Sequence, residues 1–471
     1  MSAASWAVLA PVVGVALTLV APRRVVVPAG LTAAAASAVA AGRLTLAVWD
    51  AGPFREPLAG WGAPVGIELY ADGLAAAMVL ITAAVGLLVS VYAAAYVPDG
   101  RWTGRAGFWP AWLLTWASLH TIFLSADLFN LYVALELLGL SAVALVVLAG
   151  GLPALIAGTR YLLVAFAGSM LYLLGVALVY AEAGVLDLYA LEVTTSGGVA
   201  LVLMTVGMLL KTGLFPLHFW LPAAHAIAPG PVSPVLSGLV VKASFYIVVR
   251  LWEQALPGSS SVAGAWVLGL LGVVAVVWGG LGALRQARLK LLVAYSTVAQ
   301  LGLLFLLFPL SSTAGAEDAW SGALYHALAH APAKAALFLA AATVQRSVGS
   351  DRLEDLRGAG VRLPVTALSF GLAGVSLVGL PPTGGFVAKW HLVSASLQAG
   401  QWWWGVAVVG GALLTAAYLL PVLQAFFAPT AQRLFAPIPR VFEIPALLAA
   451  VISAALGVRA AELLELLRVG V

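Results

Sequence analysis

The sequence predicts an all-α polytopic membrane protein, one membrane domain over residues 1–471 with about fourteen transmembrane helices. Three observations carry this expectation. The chain is 63% hydrophobic and only 9% charged, with a mean hydropathy of +1.05, whereas soluble folds carry about 25% charged residues. Apolar runs of about 20 residues, the length of a helix that crosses a bilayer core, recur along the whole chain. Basic residues concentrate in alternate loops, as membrane topology demands.

The expected spans lie near 4–20, 25–48, 73–97, 107–124, 128–149, 160–181, 198–217, 232–252, 262–284, 289–308, 320–345, 364–398, 402–427 and 444–467. The first has no basic flank and no cleavage site, so it reads as a retained helix and not a signal peptide. The twelfth is broken at Gly379-Leu380-Pro381-Pro382-Thr383-Gly384-Gly385. An even number of spans puts both termini on one side. Loops after odd-numbered helices hold Arg23, Arg24, Arg101, Arg105, Arg160, Arg285, Arg288, Lys290, Arg346, Arg352, Arg357, Arg362, Arg433 and Arg440, which is 14. The other side holds 5, namely Arg43, Arg55, Arg250, Arg459 and Arg468. This bias places both termini outside the cytoplasm. Tryptophans near the helix ends, including the run Trp402-Trp403-Trp404, read as interfacial anchors. The run from Arg346 to Arg362 reads as a solvated cytoplasmic loop.

The stretch from Leu209 to Lys242 departs most from a plain apolar span. Lys211 sits inside an apolar helix, which Pro216, Pro222, Pro229, Gly230, Pro231 and Pro234 then interrupt before a second apolar helix brings Lys242. Charges in hydrocarbon are costly and mark transport or proton relay. Split hydrophobic segments build midplane sites in transporters. Pro216 and Pro382 mark such splits in the two halves, a faint internal repeat.

Of five lysines, Lys211, Lys242, Lys334 and Lys389 lie inside apolar segments, while the eighteen arginines fall mostly in loops or at helix ends. A buried lysine can release its proton and an arginine cannot, so the partition suits a relay. Snorkelling or an inert buried pair is the structural alternative, and snorkelling accounts for Lys290 at a helix start. Glu136 is the acid lying well inside a span, and Lys211 is its natural counter-charge. His326, His330 and Lys334 follow at i, i+4 and i+8 and so share one helix face. His218 and His225 flank the first break. With His326, Pro216 and Pro382 they are candidates for access or gating. His120 and His391 complete the six histidines. Asp127 reads as a helix cap.

The composition excludes several chemistries. Without cysteine there are no disulfides, thiolates or iron–sulfur ligands. No Gly-rich phosphate loop, nucleophile elbow or carboxylate dyad occurs, and the His326–His330 pair lacks a nearby carboxylate. No cofactor and no metal site are expected, nor any nucleic-acid partner, because the positive charge belongs to loops.

The runs Asp127-Leu-Phe-Asn-Leu-Tyr-Val-Ala-Leu-Glu136, Lys211-Thr-Gly-Leu-Phe-Pro-Leu-His-Phe-Trp-Leu-Pro-Ala-Ala-His225 and Ala228-Pro-Gly-Pro-Val-Ser-Pro234 resemble the antiporter-like subunits of complex I and Mrp antiporters. Leu291 to Gln300, His330 to Leu339 and Gly379 to Phe386 are similar to that family as well. The resemblance runs from about Asp72 to Phe427. It implies two inverted five-helix repeats with broken helices, here 107–252 and 262–427, and a midplane chain of ionisable residues. By motif, Glu136 and Lys211 would be the coupled pair, Lys242 the central link, His330 with Lys334 the next step, and Lys389 the terminal lysine. Lys389 disfavours the M-type subunit, and a chain ending after helix fourteen disfavours the L-type. The D-type subunit of a Na⁺/H⁺ antiporter of the Mrp type fits best. Ala223-Ala224-His225 departs from a family pattern that often has an acid after Leu-Pro. The resemblance implies a bacterial or archaeal cell membrane, other membrane subunits as partners, protons and Na⁺ as cargo, and contact with lipid. The alternatives are a pump module of a complex I-like, membrane-bound hydrogenase, formate hydrogenlyase or inorganic-carbon-uptake assembly, and a non-transporting structural subunit.

Overall fold

A computed structural model describes residues 2–63, 66–97, 105–191, 197–429 and 435–470. Helices α1 (Ala3–Val20) and α2 (Val26–Ala51) form an antiparallel pair. Gly30 of α2 lets the Trp109 ring approach; a Cβ there would sit 2.1 Å from the ring. Next comes a feature absent from the all-α reading, a two-stranded antiparallel hairpin. Its strands are β1 (Phe54–Pro57) and β2 (Glu68–Ala71), with Phe54 opposite Ala71. The carboxylate of Asp72 then accepts from the N–H of Ala75 at 2.8 Å and starts α3 (Gly73–Tyr96).

Four long helices follow: α4 (Arg105–Leu124), α5 (Leu128–Val147), α6 (Gly151–Ala183) and α7 (Gly197–Thr212). Asp127 caps α5 through the N–H of Asn130 at 2.6 Å. Helices α6 and α7 cross where Gly168 and Gly207 meet, and a Cβ on Gly207 would lie 2.3 Å from the Gly168 carbonyl. Gly213, with φ +70°, ends α7. Helix α8 (Trp220–Ile227) then runs to a second interruption, and α9 (Val232–Val235) leads into α10 (Val241–Arg250). Leu236–Val240 between them form a π-helical turn, as do Leu251–Ala255 after α10. Such turns free backbone carbonyls and concentrate at functional sites.

The second half holds α11 (Val262–Leu284), α12 (Leu289–Leu304), α13 (Leu307–Leu310) and α14 (Ala316–Val348). After them come α15 (Ala359–Arg362), α16 (Pro364–Val378), α17 (Gly384–Gln398), α18 (Trp402–Phe427), α19 (Ile444–Val458) and α20 (Ala460–Leu467). Helix α14 is the hub. Its most apolar 18-residue stretch is wholly buried, and α3, α9, α12, α16, α17 and α19 all pack on it. Glycine makes the close approaches possible: a Cβ on Gly322 would lie 2.8 Å from the Leu392 nitrogen, and one on Gly238 3.1 Å from the Ala331 carbonyl.

Among the described residues, twelve helices are long and apolar enough to cross a membrane. The other two expected spans are α4 and the split helix formed by α16 and α17. Several expectations need correction. Arg160 sits inside α6, which starts nine residues earlier than its apolar core suggests, and is not a loop residue. Arg250 is a buried residue of α10. Arg101 and Arg433 lie outside the described residues. The tryptophans divide: Trp402 and Trp403 are exposed, whereas Trp404 is buried against Trp266. The Arg346–Arg362 segment is partly ordered against the fold. Its buried Asp351 pairs with Arg288 at 3.0 Å, and Leu356 is buried.

Candidate functional site

Five buried lysines and four buried histidines line the interior. Lys211, on the last turn of α7, points at α5. Its Nζ lies 3.8 Å from Glu136 Oε1 and donates to the Leu135 carbonyl at 3.4 Å. The pair is asymmetric, since the Lys211 side chain is 8% exposed and that of Glu136 26%. Glu136 therefore sits on the outer side of α5, among the exposed apolar side chains of Val133, Leu137 and Leu140. On its inner side Lys211 faces a cavity of about 20 Å³ shared with Ser244 of α10. A cavity of roughly 10–15 Å³ suffices for one water. Thr212 donates to Ser244 at 2.9 Å beside it, so polar atoms continue from α7 into α10.

Lys242 lies on α10, wholly buried. Its Nζ donates to the carbonyl of Ser237, inside the π-helical turn, at 2.5 Å, and lies 2.6 Å from Nδ1 of His330 on α14. The turn that distorts the helix thus provides an acceptor for the lysine. His326 lies one turn away on the same face, its ring centroid 5.7 Å from that of His330. Among the described residues, the ring nitrogens of His326 and Nε2 of His330 have no hydrogen-bond partner.

Lys334 is on the same face of α14 as the two histidines, but turns to α12, where it donates to the Val293 carbonyl at 2.5 Å and to the Ser296 hydroxyl. Lys389, on α17, reaches back across the second helix break. It donates to the carbonyls of Leu377 and, at 3.0 Å, of Val378, the last carbonyls of α16. A positive charge at a helix C-terminus is favourably placed. Lys211 precedes its break in the chain and Lys389 follows its own.

The access candidates separate. His225 is fully buried, stacked on Phe338 at 4.6 Å, and both of its ring nitrogens lack a partner among the described residues. His218 is half-buried beside Phe215, and Pro216 and Pro382 are exposed at the two breaks. Lys290 does not snorkel. It is buried and donates to the Ala228 carbonyl at 2.7 Å, at the C-terminal end of α8, and lines a cavity of about 470 Å³ with Gln345 and Arg346. Its position at a helix start concealed a tertiary acceptor 62 residues away. His120 is bonded on both nitrogens, to Trp116 at 2.9 Å and to the Ala7 carbonyl at 2.7 Å, and is a packing residue. His391 pairs with Asp318 at 2.6 Å.

One constellation carries no local signal in the sequence. Arg250 grips Asp72 with two bonds of 2.6 Å, donates to Gln254 at 2.7 Å and lies over the Tyr246 ring at 4.8 Å. Both charged side chains are buried, so Glu136 is not the only acid at depth. Both sit at the ends of apolar segments, where a charge reads as a loop residue. Among the described residues, no three His, Asp or Glu side chains converge to hold a metal ion.

Residues 125–415 match the family model described as NADH:quinone oxidoreductase/Mrp antiporter, transmembrane. The chain belongs to this family. It is 36% identical over 405 residues to the N-type subunit of the NADH-quinone oxidoreductase of Desulforudis audaxviator, covering 83% of this chain and 79% of that protein. It is 30% identical over 401 residues to the D-type subunit of the Na⁺/H⁺ antiporter of Bacillus subtilis, covering 84% and 79%. A chain in the structure of the Mrp complex from Dietzia sp. DQ12-45-1b superposes with a TM-score of 0.90 at 25% identity, covering 99% of this chain and 95% of that one. The protein is thus an antiporter-type membrane subunit of the Mrp/complex I family, and the family match spans Glu136, Lys211, Lys242, His330, Lys334 and Lys389.

Proposed function

We propose that this family member is the proton-translocating subunit of a multisubunit cation/proton antiporter of the Mrp type. Glu136, Lys211, Lys242, His330, Lys334 and Lys389 carry the proton, and His218, His225, His326, Pro216 and Pro382 shape access and gating. The observation that supports this most is the 2.6 Å contact between Lys242 and His330 in a buried site. Two basic nitrogens at that distance share one proton, because two adjacent positive charges without a counter-ion are not sustained in a low-dielectric interior. Loading one end of the line therefore unloads the next. Changing the Glu136–Lys211 separation changes how tightly Lys211 holds its proton. Residues 107–252 and 262–427 act as two repeats, each with a split helix and a lysine beside the split.

The exposed side of Glu136 supports a partner at this face. A carboxylate on the outer surface of a mid-membrane helix is costly against hydrocarbon, so another membrane subunit covers α5 here. A redox-driven pump module is the second reading, favoured by the higher identity to the N-type relative. Mass spectrometry of co-purifying subunits separates the two.

The relay is tested at Lys389. Arginine keeps the charge but holds its proton. Lys389→Arg is expected to assemble normally while pH-gradient-coupled transport in vesicles falls to the level of vesicles lacking the protein. Retained transport at normal expression would make Lys389 a strut. We also place both termini outside the cytoplasm. The chain has no cysteine, so Ser312→Cys and Arg357→Cys each introduce a single thiol. In intact cells an impermeant maleimide is expected to label Ser312→Cys and spare Arg357→Cys; the reverse pattern inverts the topology.

A further inference from the structure

A large cleft lies away from the buried lysines. It has a volume of about 970 Å³ and runs between α1 and α2, near the top of the roughly 300–1,000 Å³ range of ligand pockets. These two helices precede the residues that match the family model. The cleft is lined by Trp6, Val13, Leu17, Ala36 and Val39, with Arg43 as its only ionisable lining residue. From Trp6 to Leu17 it follows α1 for three turns. Arg43 lies eight residues before the end of α2, about 12 Å below that end at 1.5 Å per residue.

Arg43 is what distinguishes this cleft from ordinary lipid-facing surface. Its side chain is exposed, and among the described residues it has no ion pair. Arginines at membrane depth pair with an anion or reach the interface. No acid lines the cleft, so the protein itself does not neutralise the guanidinium there. Its fork of donors matches a phosphate, and basic pockets between transmembrane helices take anionic lipid headgroups. We propose that the cleft binds one anionic phospholipid, with an acyl chain along Trp6, Val13, Leu17 and Val39 and the phosphate on Arg43. The apolar length and the single cation together select this occupant over a neutral lipid, which leaves the charge uncompensated.

The test uses the purified assembly in nanodiscs of equal phosphatidylglycerol and phosphatidylcholine, with tightly held lipid counted by native mass spectrometry after delipidation. Wild type is expected to hold one phosphatidylglycerol per chain at this site, preferred over phosphatidylcholine about ten-fold, as a charge-assisted hydrogen bond gives. Arg43→Gln is expected to lose that preference, and Ala36→Trp, which fills the exposed cleft, to lose the lipid itself. Wild type holding both lipids in the bulk ratio would show solvating lipid only and overturn the proposal. So would an undiminished preference in Arg43→Gln. Crosslinking of Ala36→Cys to a co-purifying subunit would also overturn it, since the cleft would then be a subunit interface.

Discussion

Asp72→Ala is expected to destabilise the fold by about 3–5 kcal/mol, the usual loss when one member of a buried ion pair is removed. Two bonds of 2.6 Å join Asp72 to Arg250, and both side chains are buried. Removing the carboxylate strands a guanidinium that cannot shed its proton. Asp72 also caps α3 through Ala75, and losing a cap adds about 1 kcal/mol. Arg250→Leu is expected to be milder, because an orphaned carboxyl can protonate. The double variant Asp72→Ala with Arg250→Leu is expected to regain part of the loss. Thermal unfolding of the purified assembly measures all three. An Asp72→Ala protein that melts with wild type would mean that water already reaches this pair.

Glu136→Gln and Lys211→Ala are expected to behave in the opposite manner, abolishing cation/proton exchange while leaving assembly nearly intact. The pair is longer, 3.8 Å, and one side of Glu136 faces outward. Either orphan can change its protonation, so little stability is lost, but the line loses its terminal pair. The double variant restores any lost stability and still does not transport. Proton flux in vesicles and yield of the assembly are measured for all three. Normal transport in the double variant would make the pair an architectural strut. If a single variant fails to assemble, Glu136→Asp replaces it, keeping the charge while lengthening the gap.

The contrast between these two pairs shows what a linear sequence exposes. Lys211, Lys242, Lys334 and Lys389 stand out because each interrupts an apolar run, and the helix breaks stand out because proline and glycine mark them. The i, i+4, i+8 spacing puts His326, His330 and Lys334 on one face, although Lys334 turns toward α12. Asp72 and Arg250 are 178 residues apart, and each sits where an apolar run ends, so no local pattern joins them. The burial of Lys290 is hidden for the same reason. The π-helical turn under Lys242 leaves no compositional trace, since its register is set by packing on α14. The β1–β2 hairpin is too short to break the helical pattern on either side of it.

The acceptors of the buried cations have a consequence for how the chain is made. Lys211 bonds to Leu135, Lys242 to Ser237, Lys290 to Ala228, Lys334 to Val293, Lys389 to Leu377, and Arg250 to Asp72. In each of these bonds the acceptor comes earlier in the chain than the cation it holds. Synthesis runs from the N-terminus, so Lys211, Lys290, Lys334 and Arg250, whose acceptors lie 76, 62, 41 and 178 residues upstream, leave the ribosome after the segments that will receive them. A helix such as α14, with two histidines and a lysine, enters a membrane where the α12 acceptors of its lysine are waiting. The cost of a lone charge in hydrocarbon, about 2.5–3.5 kcal/mol at a helix centre, is thereby met as insertion proceeds and not deferred until the fold is complete.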